Sequence, residues 1–126
     1  MTVSFAIAVS LAFASGAASA VEQRKVVPAA FVGEWNFEPA LCGSQDGEGR
    51  LVIHTDHVEF YESAGPVLQV LVESPVQIFV IAQLQGEGQV WRSVRRWHLS
   101  ADGRQLTDEP GAGAWVRHRC PKPGAL

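Results

Sequence analysis

The feature that most constrains this chain is a series of short apolar or alternating segments, interrupted by Gly, Pro, Asp and Ser, with no apolar pattern at helical spacing. We predict strands at residues 33–37, 50–54, 57–62, 67–73, 76–85, 89–99, 104–107 and 114–120. Short strands joined by tight turns are typical of an all-β meander. Closure is favoured because so small a domain cannot leave long apolar strand edges exposed. The prediction is therefore a small antiparallel up-and-down β-barrel of about eight strands.

The first twenty residues carry no charged side chain, and residues 3–14 are almost entirely apolar. They end in Ala18-Ser19-Ala20, a small-x-small pattern that signal peptidase accepts. We predict a secretory signal peptide at residues 1–20, and the alternative is an uncleaved membrane anchor. Cleavage would leave one domain of 106 residues at 21–126. We therefore expect a periplasmic or secreted protein without stable membrane insertion, and a frayed lead-in before the first barrel strand.

The chain has two cysteines, Cys42 and Cys120. In an oxidising compartment an even count predicts a disulfide, and the alternative is a reactive or metal-binding thiol. The bond would close a loop of 78 residues, which the chain-entropy model values at roughly 4 kcal/mol. Cys42 lies beyond the end of the first barrel strand. Residues 38–42 must therefore fold back, aided by Pro39, or the strand count must be odd.

A G-x-W motif, Gly33-Glu34-Trp35, opens the first predicted barrel strand. Followed by a meander, it resembles the lipocalin and calycin superfamily, and also the small periplasmic barrels that inhibit metalloproteases. The resemblance implies that Gly33 admits close packing and that Trp35 closes one end of the barrel. It also implies that an arginine from the last strand packs over this tryptophan, with Arg117 and Arg119 as the candidates.

The charges are unevenly distributed. Residues 21–87 contain three basic and ten acidic residues, a charge of −7, whereas residues 88–126 contain seven basic and three acidic residues, a charge of +4. Alternation places Trp91, Arg95 and Trp97 on one face of their strand and Arg92 and Arg96 on the other. An Arg- and Trp-rich surface can bind anions, glycans or proteins, and the alternative is internal pairing of the basic half with the acidic half. The candidate ligand- or partner-binding residues are Trp91, Arg92, Arg95, Arg96, Trp97, Arg117 and Arg119.

The densest set of metal-ligand residue types is His54, Asp56, His57 and Glu59. A hairpin could bring His54 beside His57, but the spacing is poor for ligands on strands. We therefore expect a solvated hairpin end with no metal and no other cofactor. Nothing marks a shielded carboxyl or an activated serine, so we expect no enzymatic activity.

The net charge of −3 disfavours a general affinity for nucleic acid. The leading hypothesis is a monomeric, non-catalytic binding protein. Its ligand would be a small apolar molecule in the barrel mouth or a protein partner from the envelope or the secreted fraction, such as a hydrolase. One alternative is a structural envelope accessory protein with a filled core. Another is a metal-dependent enzyme that uses the hairpin of His54 and His57.

Overall fold

The computed structural model describes residues 2–10 and 21–122. Residues 2–10 have no regular secondary structure and are exposed. The predicted cleavage site after Ala20 lies outside the described residues. No helix within the described ranges has the length and apolar character needed to cross a membrane.

The described residues form an all-β structure with two short 3-10 helices, Ala29–Phe31 and Pro39–Leu41. The strands are β1 (Glu22–Arg24), β2 (Gly33–Asn36), β3 (Leu51–Ile53), β4 (His57–Phe60), β5 (Ser63–Ser74), β6 (Gln77–Gly86), β7 (Gln89–Leu99), β8 (Gln105–Glu109) and β9 (Trp115–Arg119).

Strands β2 to β9 close into an eight-stranded antiparallel barrel. Each pairs with its neighbour in sequence, and β9 returns to β2 with Arg119 opposite Trp35. Each predicted strand overlaps one of these eight, so the predicted fold class is confirmed. Strand β1 is additional and pairs with the second half of β5, from Glu22 opposite Val72 to Arg24 opposite Val70.

The predicted strands at 57–62 and 67–73 leave residues 63–66 as a turn between them, and this is wrong, because these residues begin β5 and pair with β4. The chain turns earlier, at Tyr61 and Glu62, and Glu62 takes a left-handed φ of 63°. Phe60 opposite Ser63 closes this turn. Gly65 and Pro66 resemble turn residues in the sequence, but here the glycine serves a close approach between strands.

At Gly65, β5 packs closely against the backbone of β6. A Cβ atom there would lie 1.7 Å from the main-chain oxygen of Gln83. We expect Gly65→Ala to lower the free energy of unfolding by more than about 2 kcal/mol, because two backbones must separate to admit the methyl group. Urea unfolding followed by tryptophan fluorescence measures this. The neighbouring exposed Ala64 gives the control Ala64→Ser, expected to stay within about 0.5 kcal/mol; equal losses would contradict this explanation.

The lead-in is not frayed, contrary to expectation. Val27 and Phe31 are both buried in the main core, and the Val27 amide donates to the Thr55 carbonyl at 2.8 Å. Burial of these apolar side chains, together with the pairing of β1 on β5, holds the segment against the barrel.

The disulfide between Cys42 and Cys120 is present, with the two Cα atoms 5.5 Å apart. The predicted fold-back is also present, as the 3-10 helix Pro39–Leu41, which has proline in its first turn. Two side chains of β2 hold this segment. The Glu34 carboxylate accepts from the Gly43 amide at 2.9 Å, and the Asn36 amide donates to the Leu41 carbonyl at 3.4 Å.

The interior of the barrel is filled by its own side chains. Alternation along β6 and β7 places Ile78 and Val80 of β6 and Trp97 and Leu99 of β7 inside the barrel. The buried cluster comprises Val27, Phe31, Trp35, Leu51, Ile53, Val58, Val70, Ile78, Val80, Ala82, Leu84, Trp97, Leu99 and Leu106. A ligand therefore has to bind at an end or on the outside of this barrel.

Candidate binding site at one end of the barrel

One end of the barrel is covered by the tryptophan of the G-x-W motif. Trp35 is fully buried and donates its indole N–H to the Phe31 carbonyl at 3.0 Å. The Arg119 guanidinium lies 4.2 Å from the centre of the Trp35 ring, a cation–π contact. Gly33 has a φ of 144°, and a Cβ atom there would lie 3.2 Å from Arg119 Nη1. The close packing at Gly33 and the arginine over Trp35 both match what the resemblance implied.

Arg119 is held at this end by main-chain carbonyls. It donates to Gly103 O at 2.9 Å, Val32 O at 3.1 Å and Ala30 O at 2.6 Å. Burial lowers the pKa of Arg119 from its ordinary value. With its donors directed at the protein, Arg119 is a structural residue of this end.

The opposite end is organised around one buried carboxylate, Asp108. Its Oδ2 accepts from Arg95 Nη1 at 2.5 Å and from Arg117 Nη1 at 2.7 Å, while its Oδ1 accepts from Trp97 Nε1 at 2.9 Å. Desolvation lowers the pKa of Arg117, and the Asp108 charge acts in the opposite direction. Two guanidinium groups therefore share one buried carboxylate.

Aromatic rings flank both guanidinium groups. Arg95 lies 4.1 Å from the centre of the Phe60 ring, and Arg117 lies 4.5 Å from that of Phe37. Phe37 in turn stacks on Trp115 at 5.7 Å, and Trp115 is 53% exposed. The Nε of Arg95 is buried and has no hydrogen-bond partner among the described residues.

These groups line a cleft of about 230 Å³, which we call the arginine mouth. It is lined by Phe37, Glu48, Arg95, Pro110, Trp115 and Arg117. Clefts of about 430 Å³ beside β1 and about 520 Å³ beside the disulfide are larger, but neither is lined by Phe, Tyr or Trp. A further cleft of about 350 Å³, on the outer face of β7, is lined by Phe79 and Arg96 but by no tryptophan. The arginine mouth combines an exposed indole with buried positive charge, and we take it as the candidate site.

The seven predicted binding residues do not form one surface. Arg95, Trp97 and Arg117 meet at Asp108, but Trp97 is buried below the mouth. The remaining four are distributed around the barrel. Arg92 and Arg96 are on the outer face of β7, Trp91 lines a separate cleft of about 220 Å³, and Arg119 is at the tryptophan end.

The ion pairs of the described residues lie mostly within each charge half. Asp108 and its two arginines all belong to the basic half, as do Arg96 and Glu109, whose side chains approach to 3.3 Å. One pair crosses the halves, Arg96 with Glu73 at 3.9 Å. The positive half is therefore paired mainly with its own few carboxylates.

The predicted hairpin of β3 and β4 does bring His54 beside His57. Their rings stack with centroids 3.9 Å apart, and His54 Nε2 lies 3.0 Å from Glu59 Oε2. His57 Nδ1 lies 2.7 Å from Asp56 Oδ1. The hydrogen bonds from His54 and His57 lower the pKa of Glu59 and of Asp56, respectively. Both carboxylates are therefore ionised at neutral pH.

Comparison with known proteins found no matching family model and no significant match among curated proteins or solved structures.

Proposed function

We propose that this chain is a non-catalytic binding protein that engages a protein partner through the arginine mouth. The observation that carries the proposal is the exposed indole of Trp115, stacked on Phe37 beside the guanidinium groups of Arg95 and Arg117. Tryptophan and arginine are enriched among the residues that dominate binding energy at protein interfaces.

The packed interior favours a protein partner over a small apolar ligand. The mouth holds about 230 Å³, whereas pockets for drug-sized molecules hold roughly 300 Å³ or more. A space of this size fits one inserted side chain. Glu48 on the rim and the buried Asp108 offset the two arginines, so the indole supplies the main attraction.

The setting we propose is the periplasm or the secreted fraction, reached by means of a signal peptide at residues 1–20. The disulfide supports this setting, because such bonds persist mainly in oxidising compartments. We propose a lipocalin-like architecture, supported by the packing of Gly33, Trp35 and Arg119 at one end. A secreted hydrolase is the partner class that the resemblance suggests.

A second candidate, a structural envelope protein without a ligand, is favoured by the filled core. The two proposals differ in what they require of Trp115. A structural role leaves the exposed indole without consequence, whereas partner binding depends on it.

The test is site-specific photo-crosslinking with a benzophenone amino acid at position 48, on the rim of the mouth, in cells that export the protein. We expect one dominant adduct, identified by mass spectrometry. Titration calorimetry with the purified partner should then show that Trp115→Ser weakens binding by about 30-fold, the loss typical of a hot-spot residue.

Val116 provides the matched control, since it is 49% exposed and points to the outer face of the same strand. We expect the same photoprobe at 116 to yield no such adduct, and Val116→Ser to change affinity by less than about threefold. Equal adduct yields at 48 and 116, or equal losses of affinity for Trp115→Ser and Val116→Ser, would contradict binding at the mouth. The absence of any adduct at 48 would favour the structural role.

A further inference from the structure

The end of the hairpin formed by β3 and β4 gathers metal-ligand side chains on the outer face of the barrel. A two-residue turn joins the strands, and the His54 amide donates to the His57 carbonyl at 2.9 Å. Ile53 and Val58 are buried, so the alternation of each strand directs His54, His57 and Glu59 outward. The hairpin therefore holds three potential ligands on one side.

The donor atoms of these three residues already lie close together. One donor atom from each of His54, His57 and Glu59 lies within 4.8 Å of the other two. Donors that share a tetrahedral zinc ion lie about 3.3 Å apart, given bond lengths of about 2.0–2.1 Å. His54 and Glu59 are at that separation, with 3.0 Å between Nε2 and Oε2. His57 has to leave its stack on His54, and its side chain is 46% exposed.

Asp56 supplies a second, independent feature of a metal site. Its Oδ1 lies 2.7 Å from His57 Nδ1. A carboxylate on one ring nitrogen fixes the tautomer that leaves Nε2 as a metal ligand, and metal-bound histidines almost always donate their other ring N–H to a carboxylate, a carbonyl or water. Asp56 is thus placed to orient His57, the ligand that has to move.

We propose that His54, His57 and Glu59 bind one divalent transition-metal ion, with water completing the coordination. Two imidazoles and one carboxylate suit zinc, nickel or copper, whereas calcium and magnesium prefer a shell of oxygen ligands. The inference is independent of the function proposed for the arginine mouth, which lies at a different part of the barrel and shares none of these residues.

Arg50 is a built-in competitor for the same carboxylate. Its Nη2 lies 4.0 Å from Glu59 Oε2, so a bound cation would be repelled by the guanidinium charge. Arg50→Gln should therefore tighten metal binding several-fold. A gain of affinity cannot arise from misfolding, and this variant keeps the proposal testable if others unfold.

The experiment is titration calorimetry of the full chain with zinc, nickel and copper(II), and with calcium as the hard-cation probe. We expect saturable binding of one zinc or other transition-metal ion per chain and no saturation with calcium. His54→Ala, His57→Ala and Glu59→Gln should each weaken binding by at least about 30-fold, and Asp56→Asn by about tenfold. Circular dichroism confirms that each variant is folded.

His98 gives the matched control, since it is an exposed histidine on the outer face of β7. His98→Ala should leave the affinity unchanged within twofold. The proposal is overturned if transition metals fail to saturate the chain, if calcium binds equally well, or if His98→Ala weakens binding as much as His57→Ala. It is also overturned if Arg50→Gln fails to strengthen binding.

Discussion

Replacing Asp108 with alanine should lower the free energy of unfolding by about 3–5 kcal/mol, the cost of leaving buried charges without their partner. The variant removes the acceptor for Arg95, Arg117 and the Trp97 indole at once. For a domain of this size each kcal/mol shifts the melting temperature by about 4–8 °C. Differential scanning calorimetry and urea unfolding give both quantities, and the loss is large against a typical stability of about 5–15 kcal/mol.

The neighbouring carboxylate gives a matched control. Glu109 faces outward and pairs with Arg96 at 3.3 Å, both side chains being partly exposed. Glu109→Ala should therefore cost only about 0–1 kcal/mol. A cost for Asp108→Ala no greater than that of Glu109→Ala would refute the structural role of the buried carboxylate.

If Asp108→Ala is too unstable to purify, Arg95 and Arg117 can be replaced together with Asp108. Asp108→Leu combined with Arg95→Met and Arg117→Met replaces the buried charges by apolar groups of similar volume, an exchange that is often neutral or stabilising. We expect this triple variant to fold and to recover most of the lost stability. Failure of the triple variant to fold would mean that the buried charges are required for the architecture of the mouth, beyond neutralising one another.

The barrel could be predicted from the sequence because alternation and turn residues are local signals. The segment 89–99 was predicted as one strand, and β7 has those bounds. The resemblance implied an arginine over Trp35 and left Arg117 and Arg119 as candidates, and the structure places Arg119 there, opposite Trp35. The strand prediction depends on spacing within one segment, which the sequence carries, whereas the choice between the two arginines depends on how β9 pairs with β2.

The centre of the arginine mouth was missed because of a strand boundary. Residues 104–107 were predicted as strand and Asp108 as loop, whereas β8 extends through Glu109. With the strand two residues longer, alternation from Leu106 places Asp108 inward, opposite Trp115 on β9. No local signal marks this extension, since a buried aspartate is favourable only when arginines from two other strands reach it.

The sequence also does not predict how far along the barrel axis each side chain lies. Trp91 and Trp97 lie on the same face of β7, yet the first is 41% exposed and the second 1%. Their difference arises from the stagger between neighbouring strands, which is set by pairing and not by periodicity. Strand β1 was missed for a related reason, because its three residues Glu-Gln-Arg have no apolar alternation and form a strand only against the edge of β5.

Reduction of the disulfide between Cys42 and Cys120 should cost the chain about 4 kcal/mol, the chain-entropy value for a loop of this length. The loop spans 78 residues and includes most of the barrel strands. We expect the urea midpoint to fall sharply when dithiothreitol is added. A Cys42→Ala/Cys120→Ala variant should have the same lowered midpoint and no response to the reductant, which separates loss of the bond from any other action of dithiothreitol.

Hydrogen exchange then distinguishes a global from a local role for the bond. The fold-back also has non-covalent support, from Glu34 to the Gly43 amide and from Asn36 to the Leu41 carbonyl. If the disulfide acts by restricting the unfolded chain, the slowest amides of β6 and β7 exchange faster after reduction. If it only fastens the fold-back, faster exchange is confined to residues 38–49. The free energy of unfolding then changes by less than about 1 kcal/mol. We expect the first outcome, because Cys120 ends the strand that closes the barrel on β2.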